Sequence, residues 1–311
     1  MKKAIFILCL VSLLTACTNS KNESSIISDA TTIASTNSVI TTNKLVNPDA
    51  SNYNSFPFND DSGTNDNSLK PSKAFSKLTV EEISKLNTKK IGFGQGLRLD
   101  AQNRPYCSLD FNAQFGKYDS YAIKDEKNIV YLTFDQGYEN GYTAKILDVL
   151  KEKKVKATFF ILQDYVNRNE ALVQRMIDEG HTLGNHSVHH YSMPTLDINT
   201  AKNEILGIDE YMLQKFNYEM TLFRPPMGEY SEQSLAVTQL CGYKTVLWSY
   251  AYADWDPAKQ MEPSVALEKV TNAAHPGCIY LLHSVSKTNT EILSQLIDNL
   301  KSKGYSFGIP Q

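Results

Sequence analysis

Apolar runs with the length of buried strands alternate with amphipathic helix patterns from Asn128 to the end of the chain, and this alternation most constrains the fold. The runs are NIVYLTF, KATFFIL, HTLGN, TLFRP, YKTVLWSY, CIYLLH and YSFGI. The clearest helix pattern is DINTAKNEILGIDEYML, whose apolar residues recur three and four positions apart on one face. Repeated strand–helix units predict an α/β fold with a parallel sheet, which is either open or closed into a barrel.

Polar residues follow the apolar runs, at the positions where a parallel α/β fold forms its active site. Asp135 ends the first run, and the third run leads into NHSVHH. Arg224 lies at the end of a later run, Asp254 follows the next one, and His283 ends the next. Because the carboxyl ends of parallel strands meet at one edge, we expect these side chains to converge on one rim.

His186 and His190 are four positions apart, so one helical turn would place both imidazoles on the same side. That arrangement suits two ligands of one divalent metal such as zinc, with water completing an open shell. The spacing alone also fits solvent-exposed histidines, but its position at a strand end favours a metal site. His189 lies on a different face and is not expected to be a ligand.

Each of the other rim residues has a structural and a chemical interpretation. Asp135 could cap the following turn, or it could act as a general base that takes a proton from an attacking water. His283 could be a buried histidine satisfied by backbone groups, or it could protonate a leaving amine. Arg224 and Asp254 are expected to hold and tune these two groups. The prolines after Arg224 impose an extended backbone, which leaves the N–H groups beyond them free to face an oxyanion.

The N-terminal part of the chain carries targeting signals rather than a fold pattern. Residues 1–17, MKKAIFILCLVSLLTAC, predict a secretory signal, and LTAC resembles a lipobox that would leave Cys17 lipidated. A plain signal with a chance cysteine and an uncleaved anchor are the alternatives. Residues 18–75 are rich in Asn, Ser and Thr and predict a flexible tether. Residues 76–127 are expected to form an extension packed on a domain that spans 128–311.

Charge and cysteine usage exclude two further classes of protein. The formal net charge of -3 argues against a nucleic-acid binder held by phosphate contacts. Cys107, Cys241 and Cys278 form no CxxC pair and no zinc spacing, and a disulfide framework is not expected. Cys241 and Cys278 lie in or beside apolar segments and are expected to be buried. With Cys17 lipidated, the protein would be anchored to the outer face of the cytoplasmic membrane, in the cell envelope.

Five motifs, in order over about residues 128–309, resemble those of the polysaccharide deacetylase (NodB-homology) family, carbohydrate esterase family 4. TFDQG resembles the family's TFDDG, HSVHH resembles H-S/T-x-x-H, and RPPMG resembles R-x-P-Y/F-G. The Asp254-Trp255 pair and LLH resemble the last two motifs. The resemblance implies an irregular (β/α)7 barrel and a hydrolase that acts on carbon–nitrogen bonds other than peptide bonds.

A narrower resemblance points to one branch of that family. TFDQGYENGYTAKILDVLK, GNHSVHH, RPPMGEYSE and HPGCIYLLHSVS resemble the peptidoglycan deacetylases that form muramic δ-lactam in the bacterial spore cortex. The segment from GFGQGLRLDAQNRP to KYDSYAI resembles the piece that precedes their catalytic domain. The resemblance implies that the partner is a peptidoglycan glycan strand and that the substrate is its N-acetylmuramic acid, stripped of peptide.

The resemblance also implies a role for each matching residue. Asp135 would be the base, His283 the general acid, and Arg224 and Asp254 the residues that orient them. The backbone N–H of Met227, where the family often has an aromatic residue, would serve the oxyanion.

One departure from the family pattern concerns the metal. His186 and His190 would be metal ligands, but the family's third ligand is the second aspartate of TFDDG, and here that residue is Gln136. A neutral amide brings no charge and is a poorer ligand for a divalent cation, which leaves metal dependence open. The branch that forms muramic δ-lactam commonly carries an amide there, so Gln136 favours membership of that branch.

Three other functions fit parts of the sequence. The first is a deacetylase of another glycan, such as N-acetylglucosamine in wall or exopolysaccharide. The second is a membrane-tethered glycan-binding protein whose catalytic site is degenerate through Gln136. The third is a barrel glycosidase, which would need two carboxylates flanking the scissile bond, whereas the rim pairs one acid with several imidazoles.

Overall fold

The computed structural model describes residues 78–311. Its helices are α1 (Val80–Ser84), α2 (Tyr106–Phe115), α3 (Thr143–Lys153), α4 (Gln163–Arg168), α5 (Glu170–Asp178), α6 (Ile198–Phe216), α7 (Glu232–Leu240), α8 (Pro263–Asn272) and α9 (Lys287–Ser302). Its strands are β1 (Ile91–Gly92), β2 (Ser120–Tyr121), β3 (Ile129–Gln136), β4 (Thr158–Ile161), β5 (Thr182–Asn185), β6 (Leu222–Phe223), β7 (Glu229–Tyr230), β8 (Lys244–Val246), β9 (Tyr250–Ala251), β10 (Ile279–His283) and β11 (Ser306–Phe307). Each predicted apolar run overlaps at least one of these strands.

The main sheet is parallel and curled. Its strand order is β2-β8-β6-β5-β4-β3-β10-β9, and β11 pairs with β3. The run YKTVLWSY, which the sequence predicts as one strand, supplies both β8, paired with β6 and β2, and β9, paired with β10 at the other end. One short segment therefore connects the second strand at one side of the sheet with the edge strand at the other side. The predicted α/β barrel architecture is confirmed.

Sequence signals set the ends of the longest helices. The carboxylate of Asp197 caps α6 by accepting hydrogen bonds from the N–H groups of Asn199 (2.9 Å) and Thr200 (3.0 Å). The Ser286 side chain caps α9, and Gly304, with φ of +88°, follows the end of that helix. The apolar faces of both helices are buried against the sheet core, as the three- and four-residue spacing predicts.

Strand register explains why the polar residues meet at one rim. His283 lies beside Asp135 in the β10–β3 pair, and Ile161 lies beside Asn185 in the β4–β5 pair. Asn185 in turn pairs with Phe223, the residue before Arg224. Because all these strands run in the same direction, their polar ends lie on the same side of the sheet.

The segment before residue 128 contributes directly to the sheet. Its strand β2 pairs with β8, and its strand β1 pairs antiparallel with β7. On α2, Phe111 and Phe115 are buried and both contact the ring of Tyr230. A domain boundary at residue 128 stays a prediction, and the segment packs against the barrel over much of its length.

The signal, the lipidation site at Cys17 and the tether at 18–75 lie outside the described residues. No helix within residues 78–311 has the length and apolar character needed to cross a membrane. Cys241 and Cys278 are buried, as predicted, and Cys107 is exposed; within residues 78–311 none of the three is in a disulfide.

Candidate active site

Asp135, on β3, lies against the buried guanidinium of Arg224. The Nη1 atom of Arg224 donates a 2.8 Å hydrogen bond to Oδ1 of Asp135. Burial opposes ionisation of Asp135, but the positive charges of Arg224 and His283 and the hydrogen bond from Arg224 outweigh burial and hold its pKa below its usual value. Asp135 is therefore ionised at neutral pH, as a base that accepts a proton from water must be.

Arg224 is held by the barrel wall on several sides. Its Nε donates to the carbonyl of Val246 (3.0 Å), and its Nη2 donates to the carbonyl of Leu247 (3.2 Å). The guanidinium carbon lies 4.1 Å from the centre of the Phe160 ring. Each guanidinium nitrogen of this fully buried cation therefore donates to one acceptor, and these contacts fix the direction from which it meets Asp135.

His283 ends β10 and forms the second charged couple of the site with Asp254. The Nδ1–H of His283 donates to Oδ1 of Asp254 (2.7 Å), and its backbone N–H donates to Oδ2 (2.8 Å). Burial alone would lower the pKa of His283, but the hydrogen bond and charge of Asp254 outweigh burial and raise it above its usual value. The imidazole is thereby suited to hold a proton on Nε2 and to donate it.

Asn289, on α9, is a site residue that the sequence reasoning missed. Its Nδ2 donates to Oδ2 of Asp254, and its Oδ1 accepts from the hydroxyl of Tyr252. Asn289 thus fixes the carboxylate that orients His283. It lies in the first turn of α9, after the short loop that follows His283, and no motif in the sequence marks it.

The predicted helical turn over HSVHH is wrong. The segment after β5 is a loop in which Ser187 and His190 have left-handed φ angles of +78° and +61°. The loop nevertheless brings the rings of His186 and His190 together, with their centres 5.0 Å apart. The two imidazoles meet through tight loop turns instead of helical spacing.

His186 is oriented by a backbone carbonyl. Its Nδ1 lies 2.8 Å from the carbonyl oxygen of Arg224, and because a carbonyl only accepts, Nδ1 carries the hydrogen. Its Nε2 is then bare and lies 3.6 Å from Oδ2 of Asp135. Burial lowers the pKa of His186 to about 4, so this ring is neutral at neutral pH.

Glu204, on α6, anchors the HSVHH loop and was also missed. Its buried carboxylate accepts from the backbone N–H of His189 (2.8 Å) and from Nδ1 of the same residue (2.5 Å). Its backbone carbonyl accepts from Val188 N–H (3.1 Å). A glutamate between Ala201 and Ile208 on the apolar face of α6 was the available signal, because a buried carboxylate needs a partner.

Gln136 is the last residue of β3 and directly follows Asp135. The Gln136 amide is fully buried and donates to Oγ of Ser284 (2.8 Å), and its Oε1 has no hydrogen-bond partner among residues 78–311. The amide at the family's third ligand position is therefore bonded to Ser284.

Met227 lies in a left-handed turn after the prolines of RPPMG. Its φ is +59°, and the following Gly228 has φ of +64°. No acceptor for the Met227 N–H exists within the described part of the chain, whereas the Gly228 N–H donates to the Pro225 carbonyl (3.1 Å). The free N–H is the feature that an oxyanion donor requires.

A cavity of about 540 Å³ opens at this rim. Its polar wall contains Asp135 and His283, one from each charged couple, together with His186 and His190 of the HSVHH loop. Its apolar wall includes several aromatic side chains. The lining side chains that matter here are Asp135, His186, His190, His283, Met227, Tyr138, Trp248, Tyr252 and Trp255. The structure therefore brings together all the predicted residues that would touch substrate, while Arg224 and Asp254 lie behind them.

Comparison with known proteins gives one consistent result. The polysaccharide deacetylase family model matches residues 122–246. PdaA of Bacillus subtilis, a peptidoglycan-N-acetylmuramic acid deacetylase, is 42% identical over 205 residues, which cover 65% of this chain and 78% of that protein. The solved structure of PdaA, a family 4 carbohydrate esterase, superposes with a TM-score of 0.68 at 38% identity, covering 71% of this chain and 95% of that one.

A second enzyme class within the family is also similar. A peptidoglycan-N-acetylglucosamine deacetylase of Bacillus cereus is 32% identical over 195 residues, which cover 61% of this chain and 90% of that protein. The chain belongs to the polysaccharide deacetylase family, carbohydrate esterase family 4. It is a hydrolase that acts on carbon–nitrogen bonds other than peptide bonds.

Enzymes of this family are generally metal-dependent deacetylases, so the ligand set is the next question. Catalytic zinc sites usually have three protein ligands. Across residues 78–311, no group of three His, Cys, Asp or Glu side chains is placed to hold a metal ion. His186 and His190 supply two imidazoles, and the buried amide of Gln136 is bonded to Ser284 instead. These residues do not fit the three-ligand site of the family.

Proposed function

We propose that this protein is a peptidoglycan deacetylase that hydrolyses the N-acetyl group of N-acetylmuramic acid. The observation that carries the proposal is a pair of charged couples at the ends of neighbouring strands. Arg224 lowers the pKa of Asp135 on β3, and Asp254 raises the pKa of His283 on β10. Hydrolysis of an amide needs both a base and an acid, and these two couples supply them side by side.

The proposed reaction uses side chains and one backbone donor. Asp135 takes a proton from a water molecule whose oxygen attacks the carbonyl carbon of the acetamide. The N–H of Met227 donates to the oxyanion of the tetrahedral intermediate. As the carbon–nitrogen bond breaks, Nε2 of His283 gives its proton to the nitrogen, and the products are acetate and a free amine.

Muramic acid is the favoured sugar because this chain has a higher sequence identity to a muramic acid deacetylase than to the Bacillus cereus glucosamine deacetylase. The identity to the N-acetylmuramic acid deacetylase is 42%, against 32% for the N-acetylglucosamine deacetylase. The muramic acid of a peptide-free strand carries a lactyl carboxyl group, and the freed amine can close a lactam ring with it. Formation of muramic δ-lactam in the spore cortex is therefore the role that we propose for the reaction.

The proposed place of action is the cell envelope, where peptidoglycan lies. Residues 1–17 support export of the chain, and Cys17 after Leu14-Thr15-Ala16 supports attachment of a lipid to the new N-terminus. A lipid anchor of this kind would hold the enzyme at the outer face of the cytoplasmic membrane, next to its glycan partner.

Two other outcomes have support of their own. The similarity to the Bacillus cereus enzyme supports N-acetylglucosamine as the alternative substrate. The neutral Gln136 at the family's third ligand position supports a glycan-binding protein without activity.

Mass spectrometry of treated glycan strands separates the three possibilities. Purified protein is incubated with peptide-free and peptide-bearing peptidoglycan, and the strands are then cut to disaccharides. The proposal predicts loss of the acetyl group from muramic acid in the peptide-free strands. Loss from glucosamine would establish the alternative deacetylase, and binding without any loss would establish the inactive glycan-binding protein.

A further inference from the structure

A segment that precedes the barrel is hydrogen-bonded to residues that line the active-site cavity. We define the strap as Phe93–Gln95, which continues from β1. The N–H of Phe93 donates to the carbonyl of Gly228 (2.9 Å), which extends the pairing of β1 with β7 into the RPPMG loop. The strap is therefore bonded to the residue that directly follows Met227, the proposed oxyanion donor.

The side chain of Gln95 bonds the strap to two residues of the cavity wall, Trp248 and Ala251. Its Oε1 accepts from the indole N–H of Trp248 (3.2 Å), and its Nε2 donates to the carbonyl of Ala251 (3.0 Å). Both Trp248 and Ala251 line the cavity. One glutamine side chain thus uses its acceptor and its donor to connect two points of the wall.

Trp248 transmits this constraint to the RPPMG loop. The edge of Phe93 meets its indole ring at 90°, with ring centres 5.4 Å apart. On the other side the indole is so close to Gly228 that a Cβ atom there would lie 2.5 Å from a ring carbon. Trp248 is consequently wedged between the strap and the left-handed turn that presents the Met227 N–H.

We propose that Gln95 is a positioning residue for catalysis, which fixes Trp248 and through it the Met227–Gly228 turn that holds the oxyanion. The proposal rests on the proposed deacetylase function for its catalytic part. Met227 has a side chain at positive φ, a backbone conformation that costs energy and persists only where the surroundings enforce it. The strap holds the Met227–Gly228 turn in this conformation through the bond from Phe93 to Gly228 and through Trp248.

A spectroscopic test can follow Trp248 separately from activity. The chain contains two tryptophans, so Trp255→Phe leaves Trp248 as the only one. In that background we expect Gln95→Met, which keeps the side-chain length but makes neither hydrogen bond, to shift the emission to longer wavelength and to increase acrylamide quenching. The matched control is Gln214→Met, because Gln214 is exposed on α6 and bonds only to Glu210 in the same helix.

The kinetic test asks whether the same contact matters for the reaction. With Trp255 present, Gln95→Met is expected to lower kcat at least about tenfold, within the roughly hundredfold cost of displacing a catalytic group by 1 Å. KM should change less than about twofold, because the strap acts on the oxyanion turn, which binds the transition state. A cycle with Trp248→Phe should be non-additive, since Gln95→Met removes a bond that Trp248→Phe has already lost.

Each result decides between the possibilities. Unchanged emission and quenching in Gln95→Met would show that Gln95 does not hold Trp248, which overturns the proposal. A changed emission with unchanged kcat, or equal effects in the Gln214→Met control, would reduce the strap to ordinary packing and also overturn it. A wild-type protein that releases no acetate would refute the deacetylase function and the catalytic part together, while the fluorescence result still decides whether Gln95 holds Trp248.

Discussion

The partners of Asp135 and His283 shift their pKa values in opposite directions, although both side chains line the same cavity. Burial by itself would favour the neutral form of each group. Arg224 reverses that preference for Asp135, and Asp254 reverses it for His283. The two couples therefore set the acid and the base of the site, and their pKa values bound the pH range of activity.

Asp254→Asn tests the acid couple through the pH profile. Wild-type activity should fall as pH rises through the pKa of His283, which lies above the usual imidazole value, because only the protonated ring can donate to the amine. The substitution removes the negative charge, so the alkaline limb of the profile should move to lower pH. The acid limb, set by the lowered pKa of Asp135, should move much less. An alkaline limb at the wild-type position would contradict the assignment of His283.

The two imidazoles of the HSVHH loop predict weak metal retention. Two protein ligands hold a zinc ion less tightly than three, and the amide of Gln136 is bonded to Ser284. Dialysis against a chelator should therefore remove zinc readily, as measured by elemental analysis of the protein. The matched control is the His186→Ala, His190→Ala double variant, which should bind none before dialysis. Zinc that stays bound at one ion per chain after dialysis would contradict this ligand set.

At the scale of elements, the sequence predicts the structures that follow from a repeating residue pattern. It does not predict contacts between residues that are distant in the chain. Apolar spacing predicts the strands, and capping residues and glycines predict the helix ends. The parallel direction of the strands predicts that their polar ends meet at one rim. The left-handed turns at Ser187 and His190 have no such pattern, so HSVHH was given the wrong conformation. Asn289 and Gln95 could not be predicted because each bonds to a residue that folding brings to it from elsewhere in the chain. For Glu204, its place on the apolar face of α6 signalled a buried partner but not that the partner is the HSVHH loop.

Glu204→Gln tests the anchor of the HSVHH loop. The amide would place an N–H₂ group against one of the two donors of His189, so the loop that carries His190 should loosen. We expect kcat for acetate release to fall about tenfold or more, since small displacements of catalytic groups are costly. Glu210→Gln, at an exposed position of α6, is the matched control and should retain wild-type activity. Equal activity of the two variants would show that the anchor does not affect catalysis.

At the scale of the whole molecule, the barrel and the segment before it form one packed structure. Strand β2 extends the main sheet at β8, and α2 covers the ring of Tyr230 with two phenylalanines. The same segment carries the strap that contacts the cavity wall. The family model begins at residue 122, so the part of the chain that packs as a unit is longer than the part that the family pattern covers.

Two truncated chains test this dependence. A chain that begins at residue 78 should fold and keep activity, whereas one that begins at residue 128 loses β2, α2 and the strap. The shorter chain should expose the apolar surface under Phe111 and Phe115 and fail to unfold cooperatively on heating. Circular dichroism during thermal unfolding provides the measurement. A cooperative transition of the shorter chain at the same Tm would show that the barrel is independent of its extension.

The most direct measurement of the central claim is acetate release from peptide-free glycan strands by wild-type protein and by Asp135→Asn. Asparagine keeps the shape of the side chain but cannot take a proton from water. The account predicts that the variant stays folded and loses at least about 10²-fold in rate, while wild-type protein removes acetyl groups from muramic acid. Undiminished release by Asp135→Asn would contradict the assignment of the base and with it the proposed mechanism.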